Sequence, residues 1–442
     1  MTAMPSNLPL TPQDIDTPTK RSKYTLTIVG CGPKGLLYAN LFADAGFNVL
    51  CTDTDASIIR KAAKGKTTNA IPEAETKLKN HPNQEKITLT TELKHAVSKS
   101  KVVIITLPTK ADEQKKNNNT TTINTCKQIG AALHPGTLVV YGSIASVGFI
   151  EGTVKELLEN TSALKTGQTF SLAYSPLMVT TNQTDLALTV AATDKFSLSF
   201  ATTILQTLTN NIKEIPDLKT LEIATLFTIT KQDTLLALTN EFAVFCENTN
   251  ADYFKVLDAL NLNVPCFRPT ITDQENCADA YLLLEDAENL NLTLKLPTLA
   301  RQINEEMVKH AVNLTQTALR SCGKTLRRGR VAILGSSPAR DSFVRLIEQK
   351  GAKVTVYEPL ANKKETLELN NIKTSLNKTV EGTDCIIILD GQEPFSRFNL
   401  KKLKPLLKPP PMIVDLAGKF DPSQVTTEGF IYFGLARGND KK

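Results

Sequence analysis

Short runs that are rich in apolar and β-branched residues alternate with stretches of helical periodicity in the N-terminal part of the chain. The first run occupies residues 24–29, a helical stretch begins at Leu36, and a second run occupies residues 47–52. Uncharged runs of this length and composition, bounded by turn residues, are typical of parallel strands buried on both faces. Further runs of the same kind lie at residues 87–89, 102–107 and 138–141. The pattern predicts an α/β domain with a parallel sheet over residues 24–205, preceded by a polar tail at residues 1–23 that we expect to be disordered.

The pattern changes to helical periodicity in the middle of the chain. Residues 218–248 contain no glycine or proline, and apolar residues recur at helical spacing at Leu235, Leu238, Phe242 and Phe245. A helix of this length is more often a connector between domains or a subunit interface than a core helix of a small domain. We therefore expect an all-helical central domain over residues 206–324 and a homodimer that buries the long helix.

Strand-like runs return in the C-terminal part of the chain. A run at residues 330–334 leads into a glycine, and similar runs lie at residues 352–357, 385–389 and 412–414. This order repeats the alternation of strand and helix and predicts a second parallel-sheet domain over residues 325–442. The predicted fold class is α/β, with two Rossmann-like doubly wound parallel-sheet domains joined by a central all-helical domain with a long connecting helix.

Composition narrows the class of protein. The 442 residues exceed the size of one core and agree with about two or three domains. The 51 basic and 45 acidic residues leave a formal charge of +6 that is spread thinly, so we do not expect a nucleic-acid partner. The eight cysteines form no CxxC pair, which favours free thiols in a cytoplasmic protein over a metal site. No apolar stretch is long enough to span a membrane, and residues 1–23 lack the apolar core of a signal peptide.

The first predicted strand runs directly into the glycine-rich turn Gly30-Cys31-Gly32-Pro33-Lys34-Gly35. In a dinucleotide-binding turn, the first glycine allows the tight bend, the second lets a pyrophosphate approach the backbone, and the third lets the helix pack on the strand. Asp53 follows the second strand, where a carboxylate would bind the adenosine ribose hydroxyls and repel the 2′-phosphate of NADP. The turn predicts an NAD site, with a purely structural turn as the alternative.

The order of further short motifs resembles that of the nucleotide-sugar 6-dehydrogenases, which include the UDP-glucose and UDP-N-acetylmannosamine dehydrogenases. The matching segments are 107–109, 173–176, 238–241, 300–304 and 356–359. The resemblance implies an NAD-dependent double oxidation of a sugar CH2OH group to a uronic acid through a thioester on a cysteine. It adds Pro108 and Thr109 to the predicted NAD site. The Ala-Arg-x-Ile-Asn form of segment 300–304 favours a UDP-N-acetylhexosamine as the substrate.

The resemblance also assigns candidate catalytic and substrate-binding residues. Cys277 matches the family's nucleophilic cysteine, and Asp279 matches an aspartate that follows it. The glycine-containing loop that precedes the family's cysteine is missing here. Cys266 is an alternative nucleophile. Arg340 matches an arginine that binds the nucleotide sugar, the alternative being a solvated arginine at a helix start. The family's glutamate, lysine and asparagine fall on Leu177, Thr225 and Ile229.

These substitutions leave three hypotheses. The chain oxidises a UDP-sugar twice, or it binds NAD and a nucleotide as a structural or regulatory module, or it oxidises a different small substrate once. All three keep the NAD site, because the residues that bind the cofactor are intact, whereas those that would carry out the acyl transfer are altered.

Overall fold

The computed structural model of this chain describes residues 10–63, 84–112, 114–177, 186–260, 268–272, 278–335, 337, 339–357, 371–389 and 399–438. The chain divides into two compact units. The first consists of Met1–Ile229 and Ala278–Leu292, and the second of Thr230–Cys277 and Thr293–Lys442. The domain boundaries drawn from the sequence stay a prediction.

The first unit is built on a sheet whose described strands follow the order β3-β2-β1-β4-β5-β6-β7-β8. The strands are β1 (Thr25–Val29), β2 (Asn48–Thr52), β3 (Ile87–Thr90), β4 (Val102–Ile105), β5 (Leu138–Tyr141), β6 (Ser171–Tyr174), β7 (Leu188–Ala192) and β8 (Ile212–Glu214). Neighbouring strands are parallel except β6 and β7, which pair antiparallel. The order reverses at β1, and a ligand crevice is expected there, at the carboxyl ends of the strands.

Alternate residues of each central strand contribute to two different cores. Leu26 and Ile28 of β1 pack in one hydrophobic cluster, whereas Val29 packs in another. Ile104 and Ile105 of β4 divide in the same way. Because successive side chains of a strand point to opposite faces, both faces of the sheet are covered. This explains why β1 and β4 contain no charged residue.

The second unit contains a further parallel sheet with the order β11-β10-β9-β12-β13-β14 among its described strands. They are β9 (Arg330–Leu334), β10 (Lys353–Tyr357), β11 (Ile372–Lys373), β12 (Cys385–Ile388), β13 (Met412–Asp415) and β14 (Ile431–Gly434). Two parallel-sheet domains and a helical middle region confirm the predicted α/β class.

In chain order, the described α-helices are α1 (Pro18–Arg21), α2 (Pro33–Ala45), α3 (Ala56–Ala63), α4 (Leu93–Ser98), α5 (Thr120–Gly130), α6 (Lys155–Ser162), α7 (Lys195–Leu205), α8 (Leu218–Asn248), α9 (Tyr253–Leu260), α10 (Asp279–Asn289), α11 (Lys295–Ser321), α12 (Arg340–Gln349), α13 (Leu376–Val380), α14 (Leu400–Leu403) and α15 (Pro422–Thr427). A π-helical turn at Ile150–Val154 leads into α6. The long α8 has 31 residues, and the chain passes from the first unit to the second within it.

The N-terminal segment differs from the prediction of a disordered tail. From residue 10 onward it is ordered, with a 3-10 turn at Pro12–Asp14 and the short helix α1. Leu10 and Ile15 are buried in the core of the first unit, and Arg21 donates a hydrogen bond of 3.0 Å to the carbonyl of Ala45. Leu10 and Ile15 therefore pack this otherwise polar segment against the core of the first unit. The disorder prediction is wrong for residues 10–23, and residues 1–9 lie outside the described part of the chain.

None of the described helices is both long enough and apolar enough to cross a membrane.

Candidate active site

The turn between β1 and α2 has the backbone geometry of a phosphate-binding loop. Gly30 has a φ of +108°, in the left-handed region that favours glycine, and its N–H donates to the carbonyl of Thr52 on β2 at 2.8 Å. Pro33 is the first residue of α2, where its fixed φ suits the helix and its missing N–H costs nothing. The half-buried Lys34 follows it in the first turn of α2. The free N–H groups of this helix start point out of the sheet at its carboxyl edge.

The other two glycines meet opposite surroundings. A Cβ added to Gly35 would lie 1.8 Å from the carbonyl oxygen of Gly30, so only glycine lets α2 pack this closely on the turn. A Cβ added to Gly32 would meet no atom within 4 Å. The backbone of Gly32 therefore borders open space at the start of α2. These surroundings fit the pyrophosphate of a dinucleotide.

Asp53 follows β2 and is fixed beside the glycine turn. Its Oδ2 accepts a hydrogen bond of 3.0 Å from the backbone N–H of Cys31, and its Oδ1 accepts one of 3.0 Å from that of Asp55. The carboxylate is partly exposed, so its remaining lone pairs can accept hydrogen bonds from ribose hydroxyls. The same negative charge would repel a 2′-phosphate, which fits NAD and not NADP.

Pro108 and Thr109 follow β4, the strand that pairs with β1 on the side opposite β2. Pro108 is exposed and Thr109 is half-buried. Since the carboxyl ends of parallel strands meet at one edge, these two residues, the glycine turn and Asp53 all follow strands that end at this edge.

Asp279 is the first residue of α10, which belongs to the first unit although it follows the long helix in sequence. Burial raises the pKa of Tyr141 at the end of β5, and the nearby charge of Asp279 raises it further. The pKa of Tyr174 at the end of β6 is likewise raised, mainly by burial and in part by Asp279. Hydrogen bonds from Asn117 to Glu285 and from Val147 to Asp286 tie α10, which begins at Asp279, to the loops that follow β4 and β5 at the carboxyl edge of the sheet.

Of the three positions onto which the resemblance places polar catalytic groups, two are buried and the third, Ile229, is half-buried. Leu177 follows β6 and is 1% exposed. Thr225 of α8 is 4% exposed and donates its hydroxyl to the carbonyl of Leu221 at 2.7 Å. Ile229 packs on an apolar cluster that includes Leu226. None of the three side chains is charged, so none offers a cation for an oxyanion or a carboxylate for a water molecule.

Two acidic residues that the sequence analysis did not single out are anchored beside this edge. Glu222, fully buried in α8, accepts hydrogen bonds from the backbone N–H groups of Gly148 at 2.6 Å and Ile150 at 3.1 Å. Asp286 of α10 accepts one of 2.9 Å from the N–H of Val147. Burial raises the pKa of both carboxyl groups, although the amide hydrogen bonds oppose the increase. In the sequence they are ordinary helical acids, and only their partners make them distinctive.

The remaining predicted residues are the two candidate cysteines and Arg340. Cys277 and the alternative Cys266 are outside the described residues. Arg340 belongs to the second unit, where it is the first residue of α12 and donates from Nε to Oδ1 of Asp341 at 3.0 Å. The turn before it contains Gly335 with a φ of +114°, which repeats the conformation of Gly30 at the end of β9. Arg340 therefore stands at the carboxyl edge of the second sheet.

Comparison with known proteins finds a family match for each of the two parallel-sheet regions. Residues 24–188 match the NAD binding domain of the UDP-glucose/GDP-mannose dehydrogenase family, and residues 334–422 match the family's UDP binding domain. A UDP-N-acetyl-D-mannosamine dehydrogenase of Pyrococcus horikoshii is 25% identical over 435 residues, which cover 94% of this chain and 99% of that protein. The UDP-glucose 6-dehydrogenase TuaD of Bacillus subtilis is 24% identical, covering 93% of each chain.

A solved structure supports the fold along almost the whole chain. The structure of the UDP-D-ManNAc dehydrogenase from Pyrococcus horikoshii superposes with a TM-score of 0.75 at 24% identity, covering 94% of this chain and 99% of that chain. A likeness at this identity supports the arrangement of sheets and helices and leaves the residues of the site to be judged on their own geometry.

Proposed function

Because this chain belongs to the UDP-glucose/GDP-mannose dehydrogenase family, we propose that it oxidises the C6 hydroxymethyl group of a UDP-sugar to a carboxylate, with NAD as the oxidant. The observation that carries the proposal is the glycine turn. Gly30 and Gly35 have the conformation and packing that the turn requires, and Gly32 leaves open the space that a pyrophosphate would fill. Uronic acids of this kind are precursors for polysaccharide or glycan synthesis.

The first unit binds and orients the cofactor. The N–H groups at the start of α2 would donate to the pyrophosphate, and Asp53 would accept hydrogen bonds from the adenosine ribose. Pro108 and Thr109 follow β4 at the same edge of the sheet and would border the cofactor. NAD bound here would accept one hydride in the first oxidation, and a second NAD that replaces the NADH would accept the hydride of the second oxidation.

We assign the acyl transfer to Cys277. Asp279, two residues further along the chain, is assigned the role of a general base. The first oxidation converts the alcohol to an aldehyde. The Cys277 thiolate adds to the aldehyde carbon, a second hydride leaves that carbon, and water hydrolyses the thioester to the carboxylate and the free thiol. The position of Asp279 at the start of α10, which is tied to the loops after β4 and β5, supports its role as the base that takes a proton from this water.

The substrate we propose is a UDP-N-acetylhexosamine bound in part by the second unit. The Ala-Arg-x-Ile-Asn segment at residues 300–304 and the similarity to UDP-N-acetyl-D-mannosamine dehydrogenases favour this sugar. We assign the binding of the nucleotide phosphates to Arg340, and its place at the start of α12, five residues after Gly335, supports this role.

The proposal includes a homodimer in the cytoplasm. Leu238, Phe242 and Phe245 lie on one face of α8 and are 45%, 53% and 68% exposed, an apolar surface that a second copy would cover. Free, buried thiols suit a reducing compartment, and burial raises the pKa of Cys126 and of Cys385 to about 12.

The decisive experiment mixes the protein with NAD and a panel of UDP-sugars and follows the formation of NADH. We expect two NADH per UDP-N-acetylhexosamine, no product with Cys277→Ala, and retained turnover with the control Cys266→Ala. One NADH per sugar would instead indicate a single oxidation. Binding of NAD without turnover of any sugar would instead indicate a protein that binds NAD as a structural or regulatory module. The uncharged Leu177, Thr225 and Ile229, which cannot supply a cation or a carboxylate, would then explain the lack of turnover.

A further inference from the structure

Two carboxylates in the first unit, the buried Glu222 and the half-buried Asp286, have backbone amides as their described partners. Glu222 of α8 accepts from the N–H groups of Gly148 and Ile150, and Asp286 of α10 accepts from that of Val147. Val147 and Gly148 are consecutive, so one short stretch of backbone is held by carboxylates from two different helices. We call Glu222 and Asp286 the carboxylate pair.

The stretch that they hold leaves the carboxyl end of β5. It continues from Tyr141 through Gly148, which has a φ of +81°, into the π-helical turn at Ile150–Val154. The first N–H groups of a helix lack partners within the helix, and an acceptor from outside fixes both their position and their direction. Glu222 supplies this acceptor at 2.6 and 3.1 Å, with both of its oxygens engaged.

Helix α10 is joined to a second loop of the same unit. Oε2 of Glu285 accepts from the N–H of Asn117 at 2.8 Å, and the Lys115 ammonium lies 5.5 Å from the centre of the Tyr281 ring. Asn117 and Lys115 belong to the loop that follows β4 and Thr109, whereas Glu285 and Tyr281 belong to α10. Helix α10 is therefore held by the loop after β4 through Glu285 and by the loop after β5 through Asp286.

Glu222 and Asp286 lie close together, because the amides that they accept from belong to the consecutive residues Gly148 and Val147. Burial raises the pKa of Glu222, and the charges of Asp286 and Glu151 add to the increase while the two amides oppose it. Burial also raises the pKa of Asp286, with Glu285 adding to it and the Val147 amide opposing it. Two like charges close together in a partly buried region are unfavourable, and the three amide hydrogen bonds offset part of this cost.

We propose that Glu222 and Asp286 are positioning residues, which fix the loop after β5 against α8 and α10 and thereby hold Asp279 at the carboxyl edge of the first sheet. Asp279 is the first residue of α10, and Asp286 lies two turns further along the same helix. Movement of α10 relative to β5 would displace Asp279 from the reacting carbon, and a displacement of about 1 Å is enough to cost catalysis about a hundredfold. The effect on turnover rests on the proposed function, whereas the effect on the position of α10 does not.

The test compares Asp286→Ala, which removes the acceptor, with Asp286→Asn, which keeps an oxygen for the Val147 amide. Glu222→Gln keeps one acceptor and turns an NH2 group toward the second amide. Glu288→Ala is the matched control, because Glu288 lies on the same helix but is exposed and pairs only with Lys116 at the surface in the described contacts, at 3.1 Å. Each variant is measured by amide hydrogen exchange, by the shift in Tm that NAD produces, and by kcat and KM.

We expect Asp286→Ala to speed exchange in residues 145–150 and in α10 by about tenfold, as the loss of a hydrogen bond to a charged group predicts. It should lower kcat and leave KM for NAD and the NAD-induced shift in Tm unchanged. Asp286→Asn should recover most of kcat, Glu222→Gln should fall between the two, and Glu288→Ala should match the wild type.

Two results would overturn the proposal: exchange in Asp286→Ala that equals exchange in Glu288→Ala, or faster exchange with an unchanged kcat. If the wild type itself produces no NADH, the proposed function fails, and the exchange measurement alone decides whether the carboxylate pair holds α10.

Discussion

The glycines of the β1–α2 turn satisfy three separate physical requirements. Gly30 supplies a positive φ, Gly35 supplies room for the carbonyl of Gly30, and Gly32 leaves space unfilled. The first two requirements concern folding and the third concerns a ligand. Substitutions at Gly32 and at Gly35 should therefore have different consequences.

Gly32→Val should fold normally and lose NAD binding, because its side chain would occupy the space in which the pyrophosphate fits. In the wild type, NAD at about 100 times its Kd should stabilise the fold by about 2.7 kcal/mol, and this shift in Tm should vanish in the variant. Gly35→Ala should instead lower stability without ligand by about 1–3 kcal/mol, through overlap with the carbonyl of Gly30.

The control is Gly152→Ala, since a Cβ at Gly152 also meets nothing within 4 Å but lies outside the turn. Thermal unfolding with and without NAD measures all three variants. An undiminished NAD shift in Gly32→Val would contradict the NAD site.

At the scale of elements, helix α8 shows what a periodic pattern predicts and what it does not. The spacing of Leu238, Phe242 and Phe245 predicts the helix correctly. In a chain taken alone, the same side chains are exposed and not part of a core. The pattern specifies an apolar face, and only the surrounding elements determine whether that face is already covered.

The paired substitution Phe242→Glu and Phe245→Glu should convert the proposed dimer to a monomer, because four charges would be buried at a two-fold interface. Light scattering would then report half the mass of the wild type. Phe196→Glu is the matched control, since Phe196 of α7 is 54% exposed and Phe242 is 53% exposed. A wild type that is already monomeric would remove the dimer from the proposal.

At the scale of the whole molecule, the two sheets share one type of turn between a central strand and the helix that follows it. Each sheet ends a central strand in a glycine with positive φ, Gly30 after β1 and Gly335 after β9, and each then begins a helix. The first unit carries the match to the NAD binding domain and the second carries the match to the UDP binding domain. The two ligands should therefore protect different parts of the chain.

Hydrogen exchange should show this division. NAD alone should slow exchange at the start of α2, and UDP alone should slow exchange at the start of α12. Arg340→Ala should weaken the protection by UDP, since it removes a cation from the nucleotide phosphates, and should leave the protection by NAD intact. Unchanged protection by UDP in this variant would exclude Arg340 from the nucleotide site.

The sequence by itself determined the fold class, the cofactor turn and the family, because strand burial, helix periodicity and glycine conformation are local properties. It did not determine that residues 10–23 dock on the first unit, since that depends on what Leu10 and Ile15 contact. It did not reveal Glu222 or Asp286, whose amide partners are 72 to 139 residues away in the chain. Only the tertiary structure brings α10 back to the edge of the first sheet, because contacts between distant segments leave no periodic trace in the sequence.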